Sequence, residues 1–289
     1  MKITNNYDLP DSIVSAVSSS DFRPKDRRIS VTTLINPEQL ETLRREHFDE
    51  IEEDASDRIW LLLGNSVHAM LQNQDQDNAL VEEHLEMPID INGEEWTVSG
   101  RSDLLSDRVL TDYKCTSVWS FILGDKKEWE AQLNLYRLLY HEIGFEVNKL
   151  QIVAILRDWS KSSAKFKEDY PPVPVHVQPI RLWSIDEAQN YLHTRMIAHV
   201  QAIKHGIPRG CSDEERWLRG EAWAVKKSGN KRAMAGGVHE AEEDAKRFAS
   251  EQSVPTEIEH RPGINVRCQD YCPVMPWCEQ AEHLGVKNE

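Results

Sequence analysis

Two aspartates and a lysine near the middle of the chain have the types and spacing that phosphodiester chemistry needs. Asp103 closes the stretch Gly100-Arg101-Ser102-Asp103, and Asp112 and Lys114 stand in Thr111-Asp112-Tyr113-Lys114. In a strand, side chains two apart leave on the same face. Asp112 and Lys114 therefore project together, and Thr111 and Tyr113 project the other way. An acid and a lysine side by side on a central strand are costly to bury without purpose. Asp103, at the end of the preceding strand, can converge on the same point. Two carboxylates a few ångströms apart repel unless a cation sits between them, and a hard divalent ion such as magnesium prefers oxygen ligands. Such an ion lowers the pKa of bound water and clamps the oxygens of a phosphodiester during in-line displacement. Lys114 can then orient or activate the attacking water, or stabilise charge on the phosphoryl oxygens. The triplet D-x-K is common, however, and alone fits a solvated pair on a surface hairpin equally well.

Three further features bear on that choice. His68 lies four residues after Gly64 on a helical pattern and could add a nitrogen ligand, or be a hydrogen-bonded, half-buried histidine. Gly64 costs helix stability, so its presence predicts a close backbone approach. Gln132 and Tyr136 are four apart and share a helix face with Trp129, Leu139 and Ile143. A polar Gln on an apolar stripe needs a partner, and a charged site beneath offers one. The third feature is order: acidic strand end, D-x-K strand and amphipathic helix follow one another within about 35 residues.

Periodicity predicts the elements that must hold these residues. The first thirty residues are polar and read as loosely ordered. A helix starts at Asn36-Pro37-Glu38 and runs through 39–53, and a second covers 55–72, with Asp54 and Asp57 at its positive end. Strands at 87–91 and 95–99 flank the turn Asn92-Gly93. Another strand spans 108–114. A strongly amphipathic helix spans 127–142 and is closed by Gly144. Strands at 150–156 and 173–180 and a helix at 185–205 follow, and Gly206, Pro208 and Gly210 break the pattern. Strand, helix and strand between 108 and 156 make a βαβ crossover.

Composition bounds the class. The chain has 289 residues, enough for one or two domains and a sizeable core. Charged residues are 29% and hydrophobic residues 39%, as in an ordinary soluble protein. The longest apolar run, 59–63, is too short to cross a bilayer, and residues 1–20 lack the basic start and apolar stretch of a secretory signal. The expected location is therefore cytoplasmic, the host cytoplasm for a virus-encoded chain, with no membrane partner. The net charge of −15 argues against a simple nucleic-acid binder. A carboxylate site meant for metal ions, with local basic patches, is compatible with it.

Four of the five cysteines lie in the tail. Cys268, Cys272 and Cys278 form C-x3-C-x5-C, with Pro273 and Pro276 in the loop. Cys211 can complete a set of four; Cys115, beside Lys114, is the competitor. In a reducing compartment metal binding is favoured over disulfides. Four thiolates suit an iron–sulfur cluster or structural zinc, but the paired C-x2-C knuckles usual for zinc are missing. Lys226, Lys227, Lys231 and Arg232 flank the turn Ser228-Gly229-Asn230, and Trp217 and Trp223 precede it. This basic segment could grip a phosphate backbone and stack a base, or be a solvated turn with its tryptophans packed inward.

The ordered set at 64–68, 100–103, 112–114 and 132–136 resembles the PD-(D/E)XK nuclease superfamily. Within it the RecB-type branch, with phage recombination exonucleases and CRISPR-associated RecB-like exonucleases, is most similar. The resemblance covers roughly residues 60–157. It implies a restriction-endonuclease-like α/β core, a mixed central sheet flanked by helices, with a cysteine-bound C-terminal tail. The implied division is 1–54 as a polar segment and helix, 55–205 as nuclease core, and 206–289 as the cysteine region. His68, Asp103, Asp112 and the main-chain carbonyl of Tyr113 would bind magnesium or manganese, and Lys114 would be the catalytic lysine. Asp112, Asp103, Gln132 and Tyr136 would complete the catalytic set, and Glu83 would match the family's acid before the first strand. Several such nucleases hold a 4Fe–4S cluster with three C-terminal cysteines and one distant cysteine. In those relatives the lone cysteine often precedes the core, whereas Cys211 follows it. Such a cluster would act as a staple tying the tail down. The implied function is metal-dependent cleavage of DNA, chiefly exonucleolytic, in recombination, repair or replication, with a helicase or recombinase as a possible partner. The rival is a non-catalytic nucleic-acid-binding or assembly module on the same fold.

Overall fold

A computed structural model describes residues 1–18, 23–72, 79–122, 127–206 and 209–286. The chain forms two compact units, Met1–Arg209 and Gly210–Glu289. The larger begins with β1 (Lys2–Thr4), α1 (Asp11–Ser18), β2 (Arg28–Ser30), α2 (Val31–Leu34), α3 (Glu38–Glu46), β3 (Glu52–Asp54) and α4 (Ile59–Gln72). It continues with β4 (Leu80–Ile91), β5 (Glu94–Ser106), β6 (Val109–Thr116), α5 (Val118–Ile122), α6 (Lys127–Glu142), β7 (Lys149–Leu156), α7 (Lys161–Phe166), β8 (Val175–Ile180) and α8 (Ile185–His205).

A six-stranded mixed sheet, flanked by helices, is the frame of this unit. β4 and β5 form a long hairpin whose turn residues Asn92 and Gly93 both have positive φ, 56° and 82°. Two left-handed residues are what a tight hairpin turn matching strand twist requires. β6 and β7 pair in parallel, so α6 is the crossover of a βαβ unit, and β8 closes the far edge antiparallel to β7. Successive strand residues face opposite sides. Ser102 bonds Tyr140 of α6 at 2.6 Å, while Asp103 meets His68 of α4. Helices therefore cover both faces. α6 buries Leu133, Leu135, Leu138, Leu139 and Tyr140 against the sheet. Its start carries Glu128 and Glu130, favoured at the positive end of a helix dipole, and Gly144 beyond its end takes φ 86°. Asn134, fully buried, donates to the carbonyls of Glu130 and Arg181 and accepts from the amide of Trp183, which fixes the helix lengthwise.

The N-terminal residues depart from the expectation of loose order. β1 pairs in parallel with β3. The helix expected over 39–53 stops at Glu46, because residues 52–54 are extended to pair with β1 and Ile51 is buried. Asp54 does not cap a helix beginning at 55. Its carboxylate accepts from the amides of Asn6 and Ser56 and from the Thr4 hydroxyl, and these bonds hold it down to about 2. The next helix therefore begins at Ile59. Gly64 meets no neighbour: a Cβ built there finds nothing within 4 Å. The close approach expected at that glycine is absent.

α8 braces the unit through Arg195. Its guanidinium donates to the carbonyls of Leu34 and Asn36 at 2.7 and 2.5 Å and pairs with buried Glu38 at 2.6 Å. The same group donates to Nε2 of His199, which is fully buried. Burial, and then the charge of Arg195, hold His199 down to about 4. No helix among the described residues is long and apolar enough to cross a membrane.

The smaller unit holds β9 (Leu218–Arg219), β10 (Ala222–Lys227), β11 (Ala233–His239), α9 (Glu242–Ser250), β12 (Thr256–Arg261), β13 (Ile264–Asn265), α10 (Val266–Asp270), a 3-10 turn at Met275–Trp277, and α11 (Glu279–His283). β10 is the centre of an antiparallel sheet in the order β11-β10-β12, and α9 packs on all three strands. β9 pairs with β13.

Two outcomes follow. Gly64→Ala removes a helix-interior glycine with no steric penalty, so it stabilises the chain by up to about 1 kcal/mol, read as a rise in melting temperature; a fall would contradict the open environment. His199 is neutral when folded and takes a proton near 6.5 when unfolded. Its contribution is complete above that value and is lost as pH falls toward about 4, on the order of 3 kcal/mol. Denaturant unfolding across that window should show the loss, and His199→Gln should shrink it.

Candidate metal centre at a fork in the sheet

β5 has two edges. β4 follows one edge through nearly the whole strand, including residues 97–99 and 104–105. The other edge is divided: β2 pairs with 97–99, and β6 pairs with 104–106. Residues 100–103 lie between these two partners. The β5–β6 ladder stops at Leu104↔Thr111, one step short of Asp103 opposite Asp112. There the Asp103 side chain takes over from the backbone, and its Oδ2 accepts the Tyr113 amide at 2.7 Å.

That bond places Tyr113 beside α4. His68 Nε2 donates to the Tyr113 carbonyl at 3.1 Å, and its Nδ1 lies 3.4 Å from Asp103 Oδ1 and 3.5 Å from Glu82 Oε1. Ligand atoms of His68, Glu82 and Asp103 all fall within 4.8 Å of one another. A cavity of about 10 Å³ lies among His68, Glu82, Asp103 and Tyr113, near the size needed for one water or small ion. The hydrogen bond that the ring donates to Asp103, then the charges of Asp103, Asp112 and Glu82, push the imidazole up to about 9 against its burial. The pocket favours positive charge.

Glu82 was not among the expected residues. The sequence reading pointed to its neighbour Glu83, which instead is exposed and lies on the Tyr140 side of the sheet. Register places Glu82 opposite Asp103, between the pairs Val81↔Leu104 and Glu83↔Ser102. Its φ is 53°, a left-handed conformation uncommon for a residue with a side chain. Strain of that kind collects at functional sites. The sequence carries no signal for it beyond the adjacent pair of glutamates.

A second chain of contacts runs from the same fork. Lys114 Nζ lies 3.1 and 2.8 Å from the two oxygens of Asp112 and donates to Gln132 Oε1 at 2.9 Å. Gln132 Nε2 donates to the Tyr136 hydroxyl at 3.4 Å. Asp112 is buried, which pushes its carboxyl up to about 6, and the Asp103 charge adds to this while Lys114 and His68 oppose it. Asp112 thus faces Lys114 and stands outside the His68–Glu82–Asp103 group, though within electrostatic reach of both His68 and Asp103. The Tyr136 ring lies against Gly100, where a Cβ would fall 2.3 Å from the ring. Only glycine leaves room at that position.

In the smaller unit, burial, then Glu215, then the charges of Cys272, Cys278 and Cys268 push the Cys211 thiol up to about 12. Among the described residues no three of the tail thiols come within ligand spacing of one another, and Cys115 is not among the groups that act on Cys211. Gln280 brackets Cys211 by accepting its amide and donating to its carbonyl, each at 2.8 Å. Lys226 is paired with Glu259 at 3.2 Å, while Lys227, Lys231 and Arg232 are exposed around the β10–β11 turn. Trp223 lies against His260, and Trp217 against Tyr271 and Arg267.

Comparison with solved structures finds SSO0001, known from a crystal structure, at 16% identity and a TM-score of 0.44, covering 64% of this chain and 83% of that one. No family model matches the chain, and no curated protein does.

Gly100→Ala should force Tyr136 aside at a cost of about 1–3 kcal/mol. The expected result is a lower melting temperature together with a break in the Lys114–Gln132–Tyr136 chain of contacts. A variant as stable as the parent would show that the ring is not confined there.

Proposed function

We propose that the larger unit is a divalent-metal-dependent nuclease of the PD-(D/E)XK superfamily, on a restriction-endonuclease-like core of the RecB type, and that it hydrolyses DNA phosphodiesters. The observation that carries this reading is the fork itself. Two carboxylates and an imidazole meet beside a cavity of ionic size, the far edge of the imidazole fixed by the Tyr113 carbonyl, next to a lysine held by Asp112 and Gln132. The donor set of oxygen and one nitrogen suits magnesium or manganese. His68 through Nδ1, Glu82 and Asp103 would hold the ion, with the Tyr113 carbonyl orienting the ring through Nε2 and Asp112 standing nearby. The ion would supply a Lewis acid and a water of lowered pKa.

The protein's own groups do the rest. Asp103 holds the Tyr113 carbonyl toward the site through the amide of the same residue. Gln132, fixed by Tyr136, steers the Lys114 ammonium and keeps it from pairing with Asp112 alone. Lys114 thereby stands ready to orient the attacking water or neutralise a phosphoryl oxygen. Preference for chain ends, as an exonuclease, rests on the family resemblance.

The smaller unit, on the same proposal, binds a 4Fe–4S cluster through Cys211, Cys268, Cys272 and Cys278, with structural zinc as the alternative. Burial and then neighbouring charges, tail cysteines among them, push the thiols of Cys211, Cys268 and Cys272 up, a cost that a cationic centre would relieve, and the binding energy would add to folding.

End-labelled single- and double-stranded DNA should be digested with magnesium or manganese and not without. Lys114→Ala should slow cleavage by about a hundredfold or more, and Glu82→Ala should weaken manganese binding measured by titration. A Lys114→Ala protein that cuts at the parent rate would overturn the assignment, and DNA binding without any cleavage would favour the non-catalytic module. Anaerobically purified protein should be brown and should lose its colour in Cys211→Ser; a colourless protein with stoichiometric zinc would reject the cluster.

A further inference from the structure

Two exposed tryptophans stand near the fork with a cation over each. Trp60, in the first turn of α4, is 54% exposed, and the Arg157 guanidinium lies 4.1 Å from its ring centroid. Trp119, on α5, is 51% exposed, and the Lys167 ammonium lies 5.2 Å from its ring. The two pairs are tied together by the backbone. The Arg157 amide donates to the Thr116 carbonyl at the end of β6, and the carboxylate of adjacent Asp158 accepts the Val118 amide at the start of α5. Phe166, 86% exposed at the end of α7, adds a third open ring beside Lys167 in the chain.

Three properties of this strip are unusual together. Large exposed aromatics are costly, and one helix places Trp60, Leu63 and Met70 in or near solvent while burying none of its residues fully. In a chain of net charge −15, neither Arg157 nor Lys167 pairs with a carboxylate among the described residues. The strip is also continuous with the fork. Thr116 follows Lys114 by two strand residues, about 7 Å, and Trp60 precedes His68 by eight helical residues, about 12 Å along α4.

A buried apolar interface would leave the Lys167 ammonium desolvated without a carboxylate to meet it. Rings alternating with free cations match a polymer that brings one flat base and one phosphate per unit. We propose that Trp60 and Trp119, with Arg157 and Lys167, form a stacking platform for single-stranded DNA leading to the fork. The proposal rests on the nuclease reading for its substrate and on the exposed rings for its location. In a duplex the bases are already stacked and paired, so the platform selects strands that are single or frayed at the end. Bases occupy the open faces of the two indoles, and the phosphates between them meet Arg157 and Lys167.

The test is binding of labelled oligo-dT and of a blunt hairpin duplex, without added divalent ion. Trp60→Ala and Trp119→Ala should each weaken oligo-dT binding about fivefold or more and leave the hairpin unchanged, while Trp60→Phe and Trp119→Phe retain most of the affinity. Arg157→Gln and Lys167→Gln should each reduce the slope of log affinity against log salt by about 0.7. Alanine variants that bind oligo-dT like the parent overturn the platform. So do variants that weaken both ligands equally, or that abolish self-association without touching DNA binding. The two readings separate cleanly. Cleavage with tryptophan-independent binding keeps the nuclease and removes the platform, and tryptophan-dependent binding in a protein that never cleaves does the reverse.

Discussion

One hydrogen bond sets the geometry of the larger unit: the Asp103 carboxylate accepting the amide of Tyr113. An antiparallel ladder would normally satisfy that amide with a carbonyl across the gap. Here the strands part, and a side chain two bonds longer spans the opening. The opening exists because β2 and β6 share one edge of β5 without meeting. A charged group is thereby fixed in the plane of the sheet, with α4 on one side and α6 on the other. His68 and Glu82 gather on the first side, and Asp112, Lys114, Gln132 and Tyr136 form the chain toward the second. Removing the bond would leave a buried amide without a partner and three acidic groups without a common frame.

The electrostatics follow from that arrangement. Carboxylates at Glu82 and Asp103, half-buried, and Asp112, buried, share one region. The protein meets this density with a protonated imidazole on one side and an ammonium on the other. His68 is shared between Glu82 and Asp103, whereas Lys114 is held by one acid, Asp112, and by the amide oxygen of Gln132. On the proposed reading, a divalent ion would bind there at the expense of the proton on His68.

Much of this was legible in the residues. α6 and α8 have the predicted limits because a regular apolar period ends at a glycine that takes a left-handed turn, Gly144 or Gly206. The Asn92-Gly93 turn is a local signal of the same kind. Alternation along β6 put Asp112 and Lys114 on one face, and four-residue spacing put Gln132 below Tyr136. What was hidden is non-local. Pairing of β1 with β3 joins residues fifty positions apart and overrides the helical pattern after Glu46. The choice of Glu82 over Glu83 depends on one unusual φ that no periodicity encodes. A glycine inside a helical pattern points to a close contact, yet the surroundings of Gly64 are open.

The Arg195 clamp has a consequence for the order in which the protein can be made. It grips the turn at Leu34–Glu38, and through α2 it steadies Val31, which lies against Gly100 and the Tyr136 ring. A ribosome delivers the acidic residues early and the clamping arginine some eighty residues after Asp112. The turn at Leu34–Glu38 is therefore gripped only after α8 has emerged, late in the synthesis of the larger unit.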